Sequence, residues 1–95
     1  MGEIAWRMPQ PGQRPAVVFR DGLTVADVAE VLSQPEQFQH RIRVTELIMQ
    51  VVAPTAMNVL VQVVLYRHDG SLVWWIWGAQ AARPEETEQW KQGRG

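Results

Sequence analysis

The chain has 95 residues, with 9 basic and 10 acidic side chains, 46% hydrophobic residues, 5 Trp and no Cys. A chain of this size buries roughly 65% of its extended surface on folding, enough for one core and too little for two domains. The missing Cys excludes disulfides, thiolate nucleophiles and Cys-based metal sites, and the formal charge of −1 excludes a global field that would gather polyanions.

The opening MGEIAWRMPQPGQRP places Glu3 and Arg7 where a secretory signal would be apolar, so a cytoplasmic protein is expected, and the lack of Cys suits a reducing compartment. No apolar stretch is long enough for a membrane span. Residues 1–15 are read as an extended N-terminal arm, because PQPGQRP at 9–15 favours polyproline-like backbone. A single domain over 16–92 and a tail at 93–95 complete the organisation.

Within that domain, AVVFR at 16–20 is a short β-branched strand ended by the turn pair Asp21-Gly22. Thr24 with Asp27 then starts an amphipathic helix over 24–33, whose apolar stripe is Leu23, Val28, Val31 and Leu32. Residues 23–32, LTVADVAEVL, resemble the opening helix of excisionase-like and MerR-like helix-turn-helix domains. The resemblance stops there, since SQPEQFQHRIRVTELI follows where those families place a recognition helix, and no residue role is carried over.

Pro35 and Glu36 start a single helical turn reaching Phe38, and the Ile-, Val- and Thr-rich segment after it predicts a strand over 42–52, ended by Pro54. A continuous helix over 35–52 competes, through Phe38, Ile42, Leu47, Ile48 and Val51. Residues 57–66 alternate, His68-Asp69-Gly70-Ser71 breaks the run, and 72–78 resume it, which predicts a hairpin. A two-residue type I′ turn at Asp69-Gly70 would set Tyr66 opposite Val73 and Leu65 opposite Trp74. Pro84, Glu85 and Glu86 open a last helix stopped at Gly93, with Trp90 as its large apolar residue. The expected fold is therefore α+β: a short strand and helix, a three-stranded antiparallel meander, and a C-terminal helix.

The hairpin register sorts side chains onto two faces. Val61, Val63, Leu65, Leu72, Trp74 and Ile76 form one, and Gln62, Val64, Tyr66, Val73, Trp75 and Trp77 form the other. Neither belongs in water. The first helix can cover only one, so the cover of the second is left open among the Trp90 helix, an arm carrying Ile4 and Trp6, a second copy, or another partner. Trp is enriched at binding hot spots. The expected function is that of a small non-catalytic interaction or assembly module, homodimeric through Gln62, Val64, Tyr66, Val73, Trp75 and Trp77.

A nucleic-acid reading is the alternative, with Arg41, Arg43 and Arg67 at one end of the sheet beside Tyr66 and the two Trp rings. No phosphate loop, nucleophile elbow or zinc-protease motif occurs, so no enzyme class, metal or cofactor is expected. His68-Asp69 is read as turn chemistry rather than a base with its orienting acid. His40, Glu46 and His68 lack metal-ligand spacing, and Glu46 is read as solvent-facing at the centre of its strand.

Overall fold

The structure, a computed structural model, describes residues 4–10 and 17–94. Most of the expected proline-rich connector lies outside them. In chain order the described residues form β1 (Trp6–Arg7), β2 (Val18–Phe19), α1 (Val25–Leu32), a 3-10 turn (Glu36–Phe38), β3 (His40–Thr45), β4 (Ile48–Pro54), β5 (Leu60–Tyr66), β6 (Trp74–Ala81) and α2 (Pro84–Arg94). The α+β class is as read from the sequence, but the sheet is larger and mixed. β3 to β6 make an antiparallel meander, and β1 and β2 both pair parallel to the outer edge of β6. Trp6–Arg7 of the expected arm is thus a piece of the sheet.

The cap of α1 forms as its sequence requires. The Asp27 amide donates to the Thr24 hydroxyl, and the Thr24 amide donates to the Asp27 carboxylate at 2.9 Å, which satisfies two orphan donors of the first turn. The stripe of Val28, Val31 and Leu32 then packs on Met49, Val51 and Ala53 of β4, Val61, Val63 and Leu65 of β5, and Trp74 and Ile76 of β6. Ile4 belongs to this core and Trp6 packs against it, so the N-terminal segment reinforces the face that α1 covers.

The strand expected over 42–52 is two strands, and the competing helix over 35–52 is absent apart from the Glu36–Phe38 turn. β3 and β4 meet at a hairpin whose tip is Glu46-Leu47, with Thr45 opposite Ile48 and a register shift between Arg43 and Thr45. Turn punctuation by Gly, Asn or Pro is missing here because the tip needs no positive φ; side chains hold it instead. The Thr45 hydroxyl accepts from the Leu47 amide at 3.1 Å. Just after β5, the Arg67 side chain donates to the Glu46 carbonyl at 2.8 Å, and the Arg67 amide donates to the Leu47 carbonyl at 2.9 Å. Glu46 sits at an exposed tip rather than at a strand centre.

The β5–β6 hairpin exists with a different register. Tyr66 lies opposite Trp75 and Leu65 opposite Ile76, because the connection runs from Arg67 to Val73 instead of through two residues. The Ser71 amide closes on the His68 carbonyl at 2.9 Å, and of the central pair only Gly70 has positive φ, at 80°, which is type II geometry. A type I′ pair occurs instead at Asp21-Gly22, with φ of 58° and 72°. Leu72, expected in the core, is 84% exposed on the longer loop.

β6 also carries a bulge. Leu65 pairs with Ile76 but Val64 with Gly78, leaving Trp77 as the extra residue. Beside it a Cβ on Gly78 would lie 2.7 Å from the Val18 carbonyl oxygen, so glycine is what lets β2 reach the sheet edge. Gly78→Ala is expected to cost about 2 kcal/mol by urea unfolding, through displacement of β2. Faster exchange of the Arg20 amide, which donates to the Ala79 carbonyl at 2.9 Å, reports that displacement directly.

Candidate functional site

Strand alternation sends Ile48, Gln50 and Val52 of β4, Gln62, Val64 and Tyr66 of β5, and Trp75 and Trp77 of β6 to the face opposite α1. α2 covers one end of that face, packing on β3 and β4. Val52 is fully buried there, and Trp90 is buried with its indole N–H donating to the Phe38 carbonyl at 2.8 Å. Of the covers left open by the sequence, the Trp90 helix therefore takes this end, while Ile4 and Trp6 serve the other face.

The anchor of α2 is polar. The Gln62 amide donates to the Glu86 carboxylate, and Gln80 donates to the Gln62 carbonyl at 2.8 Å. Glu86 reaches back to accept from the Arg83 amide at 2.8 Å, which caps the start of the helix. Gln62 is only 2% exposed. It belongs to the α2 interface and leaves the expected interaction surface, for which the period-2 pattern gave no sign. A lone amide in a strand of Val and Leu, with a Glu three residues after Arg83, was the signal available.

Beyond α2 the face is open. Val64, Tyr66 and Trp75 are half-buried, and the bulged Trp77 is 37% exposed. The Tyr66 and Trp77 rings meet edge to face with centroids 6.0 Å apart, a geometry that fixes both rings before anything binds. His68 meets Tyr66 the same way at the rim. Val73 lies in the loop before β6 rather than in the strand, so it sits at the margin of this surface. Ile48, paired with Tyr66, and Gln50, paired with Val64, extend the surface across β4; the missed hairpin at Glu46-Leu47 hid them from the sequence reading.

The three Arg residues do not join these rings. Arg41 pairs with Val51 and Arg43 with Met49, both core positions, so they lie on the α1 face. The guanidinium groups of Arg43 and Arg67 sit 5.2 Å and 5.1 Å from the Trp74 ring centre and close the end of the core by cation–π contact. Arg67 also donates to the Glu46 and Ser71 carbonyls. The expected arrangement of these cations beside Tyr66, Trp75 and Trp77 is corrected accordingly: pairing parity puts them on opposite sides of the sheet. On the edge strand β3, Arg41, Arg43 and the register shift are features that oppose strand addition.

Among the described residues no group of three His, Cys, Asp or Glu could hold a metal ion, and no helix is long and apolar enough to cross a membrane. Comparisons with family models, with curated proteins and with solved structures find no match.

Proposed function

We propose that this protein is a small assembly module that forms a reversible homodimer through the open half of its sheet. The observation carrying this reading is the uncovered, uncharged surface of Ile48, Gln50, Val64, Tyr66, Trp75 and Trp77, held in shape by the Tyr66–Trp77 contact. A two-fold axis brings each residue of a surface near its own copies, and like charges would oppose such pairing. None of these six side chains is charged, Arg20 lying at the edge beside Val64 and Trp77, and Gln50 has an amide that can both donate and accept across the axis.

Its size sets the strength. Three strands, β4 to β6, at about 4.8 Å spacing and two repeats of about 6.8 Å give roughly 14 by 14 Å in projection. With side-chain relief this is about 300 Å² per protomer, below the size of stable specific interfaces, which makes the dimer a weak, transient one with a dissociation constant of about 100 μM. Mixing isotope-labelled with unlabelled protein and recording filtered NOE spectra tests the mode of pairing. Intermolecular contacts between the Trp75 and Trp77 rings and the Ile48 methyls are expected; contacts from α1 or β3 instead would contradict it.

A further inference from the structure

Beside the open face, at the junction of β2 and β6, lies a cleft of about 320 Å³ lined by Val18, Arg20, Val64, Trp77, Gly78 and Gln80, with Gln62 beneath. We infer that this cleft binds a small planar aromatic ring bearing one anionic group, with the ring against Trp77 and the anion on Arg20. Four features of the chain converge on that chemistry. The bulge that inserts Trp77 into β6 brings its indole to the cleft wall, and bulges recur where a strand must re-aim a side chain. Gly78 removes the side chain that would fill the space between Trp77 and β2, so Val18 closes one side with backbone.

Arg20 brings a guanidinium to the rim, and among the described residues it has no ion pair or side-chain hydrogen bond. By contrast Arg67 and Arg83 are paired with carboxylates at 3.4 Å and 3.5 Å. Two acids lie near the cleft: Glu86 is engaged by Gln62, Arg83 and the start of α2, and Asp21 by the Ala81 amide at 2.9 Å, which leaves Arg20 as the charged group that lines the cleft itself. Gln80 is oriented by its donation to Gln62, which leaves its own carbonyl oxygen as an acceptor for a ring N–H or hydroxyl. The volume is at the small end for ligand sites and suits one or two rings.

The test titrates benzoate, neutral benzamide and non-planar cyclohexanecarboxylate into labelled protein, following the Trp77 indole N–H and the Gln80 side-chain amide by NMR. Benzoate is expected to give saturable shifts at those two groups with a dissociation constant of about 1 mM. Arg20→Gln, an exposed change, is expected to weaken benzoate about fivefold and leave benzamide unchanged. Cyclohexanecarboxylate, which keeps the charge and loses the π face, is expected to bind about fivefold more weakly than benzoate. Equal binding of the two acids, an unchanged Arg20→Gln titration, or no saturation at about ten times that concentration overturns the inference. The Trp75→Ala variant leaves the cleft lining intact and weakens the proposed dimer. The same shifts are expected in it, so a failed titration there counts against the cleft alone.

Discussion

Replacing Glu86 by Ala is expected to lower the unfolding free energy by about 3 kcal/mol, a large share of the stability of a domain this small. The loss has two sources. Gln62, only 2% exposed, keeps its amide buried without its acceptor, and the Arg83 amide loses its cap. An orphaned buried amide costs about 1–3 kcal/mol and a lost cap about 1 kcal/mol. The ion pair with Arg83 contributes little, because the Arg83 side chain is 60% exposed and water screens it. Urea unfolding separates these effects: Arg83→Ala is expected within about 0.5 kcal/mol of wild type, and Glu86→Gln, which retains an acceptor oxygen, is expected to keep more than half of the stability that Glu86→Ala loses. Equal losses for Arg83→Ala and Glu86→Ala would make the ion pair the anchor instead.

Replacing Trp77 by Ala is expected to weaken self-association by about 2 kcal/mol or more, roughly thirtyfold, while the monomer remains folded. Trp77 is the extra residue of the bulge, outside the core and already partly in water, so its loss opens no cavity under α1. Trp74, three residues earlier, is the contrast. It is 7% exposed, part of the core and flanked by Arg43 and Arg67, and Trp74→Ala is expected to cost about 3–5 kcal/mol of folding stability. Sedimentation velocity with circular dichroism distinguishes the two. A Trp77→Ala protein that unfolds like Trp74→Ala would place Trp77 in the core and remove the interaction surface.

Local chemistry that decides its own outcome was legible in the sequence. Thr24 and Asp27 cap α1, Val28, Val31 and Leu32 face the sheet, and α2 starts at Pro84. The face shared by Val64, Tyr66, Trp75 and Trp77 was legible too, although Tyr66 pairs with Trp75 and not Val73. The slip is two residues along β6, and a shift of two leaves each side chain near the turn on the same side. What could not be read depends on groups distant in sequence. Arg67 holds the Glu46-Leu47 tip, so no turn residue marks it, and the parity that follows moves Arg41 and Arg43 to the α1 face. Gln62 looked like part of an open surface because its partner, Glu86, lies 24 residues away. The parallel pairing of β2 with β6 rests on Gly78, whose role is visible only once β2 approaches it.

Solution mass by light scattering after size exclusion, across a concentration series with Trp emission recorded on each fraction, bears most directly on the open face. A dimer with blue-shifted emission that dissociates on dilution to a red-shifted monomer is the expected result, because Trp75 and Trp77 leave the interface for water while Trp74 and Trp90 stay buried. A monomer at every concentration, with the same emission throughout, would contradict self-assembly through this face.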